Sequence, residues 1–86
     1  MKTLQILQQA EKLVSGDRDK THGEKLTNHK NIALLWSAYL EMKITPKDVA
    51  ILMVLLKLAR TKAGEHNLDD YVDACGYSAI AGELSQ

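Results

Sequence analysis

The chain has few residues that could cross-link or interrupt it, and it carries no net charge. Cys75 is its only cysteine, which excludes an intramolecular disulfide, and no Cys/His spacing suggests a structural zinc. A lone thiol fits a reducing, cytoplasmic setting. Phenylalanine is absent, and the aromatics are Trp36, Tyr39, Tyr71 and Tyr77, so aliphatic side chains must build the core. Charge of one sign is also missing: 11 Lys and Arg balance 11 Asp and Glu. A reader of duplex DNA usually carries a basic excess to displace counterions from phosphates, so the balance argues against that partner. The longest apolar run, Val49 to Leu56, is too short to span a bilayer. The polar, amphipathic N-terminus has no secretory h-region. No membrane partner is expected.

Eighty-six residues make one domain, 1–86, with a thin stability margin because a short chain buries a low fraction of its surface. Small folds compensate with disulfides, a metal or self-association. With the first two unsupported, homo-oligomerisation remains.

Apolar periodicity gives an all-α fold of about four helices. The first covers Thr3 to Val14, with Leu4, Leu7, Ala10, Leu13 and Val14 at helical spacing. Thr3 suits its N-cap, and Gly16 the left-handed position beyond its end. Residues 16–27, GDRDKTHGEKLT, are charged and lack periodicity, as in a long loop, which is often functional. Asn28 can cap a second helix running to about Met42, whose stripe is Ile32, Leu35, Trp36, Tyr39 and Leu40. Thr45-Pro46-Lys47-Asp48 is a capping-box variant with proline at the first helical position. It starts a third helix, Pro46 to about Ala63, ended by Gly64. That helix is apolar nearly all round from Val49 to Leu58, so it should be buried on several sides. Four short helices can hardly enclose it, which is the physical reason to expect a bundle completed by a second copy. Asn67 can cap a fourth helix reaching about Glu83, with Leu68, Tyr71, Val72, Cys75, Ala79 and Gly82 on its apolar side. Gly76 in its middle costs about 1 kcal/mol relative to Ala and implies close helix packing or an approaching ligand.

Lys57 and Arg60, three residues apart, share a face of the apolar third helix. Burying cations among leucines requires anions nearby. Asp69 and Asp73 of the fourth helix can supply them as structural ion pairs. Alternatively the cations bind phosphate while the aspartates orient them or hold a divalent ion. In the loop, Arg18 and Lys20 could neutralise phosphate oxygens near flexible glycines, although no Walker A pattern is present. His22, His29 and His66 show no metal-ligand spacing and read as surface or loop histidines. Cys75 reads as a small core residue.

The segments GDR at 16–18, HG at 22–23, Asn28, IALLWSAYL at 32–40, ITPKDVAILMVLLKLAR at 44–60 and D-x-x-x-D-x-x-GY at 69–77 together resemble a family of short phage and prophage domains of unknown function. His22 and His29 stand where that family usually has Tyr and Phe. The family in turn looks distantly similar to all-α nucleotide pyrophosphohydrolases of the MazG type, which are oligomeric and hold magnesium on two acidic helices. Here Lys57 and Arg60 occupy the third helix where an acidic pair would be wanted, leaving Asp69 and Asp73 for any magnesium.

The resulting expectation is a phage-encoded binder of a nucleotide or cyclic nucleotide signal, sequestering it against host defence in the host cytoplasm. Its ligand-binding set is Arg18, Lys20, His22, Asn28, Trp36, Tyr39, Lys57, Arg60, Asp69, Asp73 and Tyr77. No catalytic residue is assigned. Two other readings stand beside it: a magnesium-dependent pyrophosphohydrolase using Asp69 and Asp73, and a module that inhibits a host protein through the apolar third helix.

Overall fold

The computed structural model describes residues 1–15 and 24–86. It is all-α, as the periodicity predicts, with four helices among the described residues: α1 (Thr3–Val14), α2 (Lys25–Leu40), α3 (Pro46–Arg60) and α4 (Leu68–Leu84). α4 is central, with α1 and α3 packed on it; α2 packs on α3 and also reaches α4, where His29 meets Tyr77.

Local signals placed the helix starts unevenly well. Thr45 caps α3 as expected: its hydroxyl accepts from the Asp48 N–H at 3.1 Å, and the Asp48 carboxylate accepts from the Thr45 N–H at 2.9 Å. Asn67 likewise caps α4, its side-chain oxygen accepting from the Asp69 N–H at 3.0 Å. At α1 the cap is Lys2, not Thr3; the Lys2 N–H donates to the Gln5 side chain at 2.8 Å. α2 starts three residues before Asn28, with Glu24 as N-cap. Tertiary packing explains the earlier start, because Leu26 and His29 in its first turns face inward. The expected C-cap role of Gly16 lies outside the described residues.

The helix ends also differ. α2 stops at Leu40, with Glu41 in the left-handed region at φ 54. Ser37 then fastens the turn: its hydroxyl accepts from the Ile44 N–H at 2.8 Å and donates to the Ile44 carbonyl at 3.1 Å. α3 stops at Arg60, where the Thr61 hydroxyl donates to the Leu58 carbonyl at 2.6 Å and draws the chain out of the helix. Gly64, at φ +80, forms the turn that follows and does not cap the helix.

The faces that are buried correct the apolar stripes read from sequence. In α2, His29 and Ala33 are buried, whereas Leu35, Tyr39 and Leu40 are exposed. In α4 the buried positions are Asp70, Val72, Ala74, Gly76, Ile80 and Ala81; of the expected stripe only Val72 is buried, and Tyr71, Ala79 and Gly82 are exposed. Small residues let helices approach closely, and α4 uses them between two neighbours. A Cβ built on Gly76 would lie 3.4 Å from Val14 Cγ1, so α1 packs against α4 at this glycine with room for one more carbon. The core joins Ala50 of α3 to Ile80 and Ala81 of α4, with Val14, Tyr77 and Leu84 against them. Within α3 itself only Val49 and Ala50 are fully buried. Burial on several sides is thus not met within one chain: Ile51, Leu52, Leu55, Leu56 and Leu58 are 41–56% exposed.

Candidate functional site

α3 and α4 run antiparallel through the short turn between them, and this sets their polar residues in register. Lys57 Nζ lies 3.1 Å from Asp73 Oδ2, and both side chains are largely withdrawn from solvent, at 14% and 24% exposure. One turn along, Arg60 Nε lies 3.4 Å from Asp70 Oδ1. The second pair is asymmetric: the Asp70 side chain is 7% exposed and that of Arg60 56%. A buried carboxylate therefore grips one nitrogen of a guanidinium whose body stands in solvent.

These pairs show which expected site residues meet. Lys57, Arg60 and Asp73 come together. Asp69 does not join them; it is exposed, and Asp70 takes the expected place beside Arg60. Asp70 was missed because a carboxylate on the buried side of a helix breaks the apolar stripe used to orient it. The i, i+3 match of Lys57/Arg60 with Asp70/Asp73 across an antiparallel turn was the available signal. Tyr77, one turn beyond Asp73, carries the strip onward and meets His29 of α2, with ring centroids 6.1 Å apart and planes tilted by 53°.

His29 is 5% exposed, contrary to the surface reading of the histidines. Its Nδ1 lies 2.7 Å from the Lys25 carbonyl, an acceptor, so Nδ1 carries the proton and donates. Nε2 is then left as an acceptor, and it is buried without a hydrogen-bond partner among the described residues. A buried unmet acceptor costs about 1–3 kcal/mol, which a donor reaching it would recover.

Asn28 and Trp36 are half-buried on α2, and Tyr39 is 86% exposed. Tyr39 lies ten residues beyond His29, about 15 Å along a helix, and so is well removed from the His29–Tyr77 contact. Arg18, Lys20 and His22 lie outside the described residues. Cys75, expected in the core, is only half-buried.

Asp73 is engaged by Lys57, Asp69 is exposed, and no group of three or more His, Cys, Asp or Glu is assembled for a metal among the described residues. Among those residues, too, no helix is long and apolar enough to cross a membrane.

Four helices with a charged clamp between the last two, and an aromatic contact at one end of it, define the class: a small all-α domain with one polar strip in an otherwise aliphatic frame. More particularly, the chain belongs to the family described as a domain of unknown function, DUF6378, which it matches over residues 5–85. It is 45% identical over 79 residues to the Gene 55 protein of Mycobacterium phage D29, an alignment covering 92% of this chain and 52% of that protein. It is 40% identical over 82 residues to the Gene 55 protein of Mycobacterium phage L5, covering 94% and 53%. The chain thus spans about half the length of these curated relatives. No solved structure matches it. The resemblance to phage domains is thereby met at the level of the family.

Proposed function

We propose that this phage-type domain binds a small phosphorylated ligand, a nucleotide or cyclic nucleotide, and acts by holding it in the host cytoplasm without chemical turnover. The observation that carries the reading is the asymmetry of the Arg60–Asp70 pair. Lys57 and Asp73, which join the two helices, are both largely withdrawn from solvent. Arg60 is instead oriented through Nε by a buried carboxylate, with its side chain 56% exposed. More than half of that side chain is open to solvent, and a planar guanidinium fork matches phosphate oxygens in two parallel bonds.

Lys57 then serves the fold, and Arg60 serves the ligand. From Asp70 to Tyr77 α4 advances seven residues, about 10 Å, which is the reach of a nucleoside monophosphate. A phosphate on Arg60 would bring a sugar or base towards the half-buried Tyr77. Sequestration needs affinity for the ground state alone and no transition-state chemistry.

A retention assay tests this. The purified chain is mixed with linear and cyclic nucleotides and magnesium, freed of unbound ligand by filtration, and heat-denatured, with both fractions read by mass spectrometry. An intact nucleotide released only on denaturation is expected, and its loss in Arg60→Gln, with helical circular dichroism preserved. Accumulating hydrolysis products would replace this reading with an enzyme. Retention unchanged in Arg60→Gln would show that the site is elsewhere.

A further inference from the structure

We propose that the outer face of α3 is an interface between two copies of this chain, packed antiparallel about a two-fold axis at Leu55. The inference is independent of the ligand reading. α3 carries two apolar faces. One, with Val49 and Ala50 at its centre, packs into the domain. The other bears Ile51, Leu52, Leu55 and Leu58, exposed by 44%, 41%, 56% and 43%. Their spacing of i, i+1, i+4 and i+7 is that of a single helical stripe. Scattered exposed leucines are ordinary, but a contiguous stripe marks an interaction surface.

The charge pattern favours a second copy as the occupant. The stripe is free of charge along its length, and opposite charges bound it: Asp48 precedes it and Lys62 follows it, each seven residues from Leu55. An antiparallel partner centred on Leu55 sets Lys62 of the second copy against Asp48 and Asp48 of the second copy against Lys62. A two-fold, isologous interface satisfies both ends at once; a parallel arrangement would set like charges together.

Sedimentation equilibrium of the full chain is the test, supported by cross-linking. The wild type should sediment at twice 9.6 kDa, and Leu55→Glu at the single mass with its helical circular dichroism intact. Because a glutamate could disturb folding, Leu55→Cys is made in a Cys75→Ala background. A residue on the two-fold axis meets its own copy, so mild oxidation should give a disulfide-linked pair. Ile51→Cys in the same background should not, since its own copy would lie about 12 Å further along the axis of α3. A wild type that stays monomeric at high concentration would overturn the proposal and assign the stripe to a different protein. So would a pair that survives Leu55→Glu, or one that cross-links as readily through position 51 as through 55.

Discussion

Replacing Gly76 by alanine should stabilise this protein, although the glycine is buried in the middle of the central helix. Glycine in a helix interior is about 0.8–1.0 kcal/mol less favourable than alanine, mainly through the backbone freedom lost on folding. Against that gain stands the space available. The added Cβ would meet Val14 Cγ1 at 3.4 Å, an ordinary van der Waals separation that neither strains α1 nor leaves a void. Gly76 has helical backbone geometry, so no left-handed conformation is lost. The net expectation is about 1 kcal/mol of stabilisation, which for a domain of 60–100 residues raises Tm by about 4–8 °C. Thermal circular dichroism of both proteins at one fixed concentration measures it, since any self-association makes Tm depend on concentration.

Val14→Ala provides the control. With the valine methyls removed, the alanine at 76 should gain as much or slightly less, because its Cβ loses a contact and not a clash. A lower Tm for Gly76→Ala in both backgrounds would refute the reasoning and mean that something other than Val14 approaches this glycine. A higher Tm accompanied by lost nucleotide retention would identify that something as the ligand.

Thr45→Ala should cost about 1 kcal/mol by leaving the Asp48 N–H uncapped, read as a lower urea midpoint at unchanged m-value. Asp48 should make part of the stability acid-sensitive. The Thr45 N–H donating to its carboxylate, helped by the Thr45 side chain and by nearby Lys47, holds its pKa below the usual value against a smaller opposing effect of burial. A folded pKa below the unfolded one gives stability that is complete above the unfolded value, near pH 4, and is lost as pH falls through the folded value. Asp48→Asn should therefore flatten the acid limb of the urea-midpoint profile; an unchanged limb would assign it to other carboxylates.

The sequence told most where a signal was local. Thr45, Pro46 and Asp48 define a helix start through bonds that close within four residues, and Asn67 does so within three. α2 escaped this logic because its first turn has no side-chain cap; inward packing of Leu26 and His29 sets its start, and that depends on the rest of the molecule. The α4 face was misread for a related reason. Large apolar residues mark a face only if the neighbours need bulk, and between α1 and α3 the helix needs small residues instead, so Ala74, Gly76 and Ala81 go inside while Tyr71 stays out. Asp70 illustrates the limit most sharply, since its burial follows only once Arg60 is known to lie opposite. Of the candidate site, the meeting of Lys57 with Asp73 was legible from helix spacing. The inward turn of His29 was not, because a histidine among polar residues carries no periodic signature.

The charged clamp and the apolar stripe solve one problem at two levels. A helix that is apolar nearly all round, like α3, has no preferred rotation against its neighbour, and sliding by a turn costs it little. Lys57–Asp73 and Arg60–Asp70 remove that freedom. The pairs step three residues in opposite directions along antiparallel helices, so they share one register, and a slide or rotation of α3 takes both out of reach together. Breaking either leaves a withdrawn charge without its partner, a penalty of about 3–5 kcal/mol when both groups are deeply buried and less where, as at Arg60, one stands in water. The clamp thus selects which apolar face of α3 turns inward. By the same act it selects which face turns outward, and the stripe from Ile51 to Leu58 is left exposed because Lys57 and Arg60 fix the helix on α4.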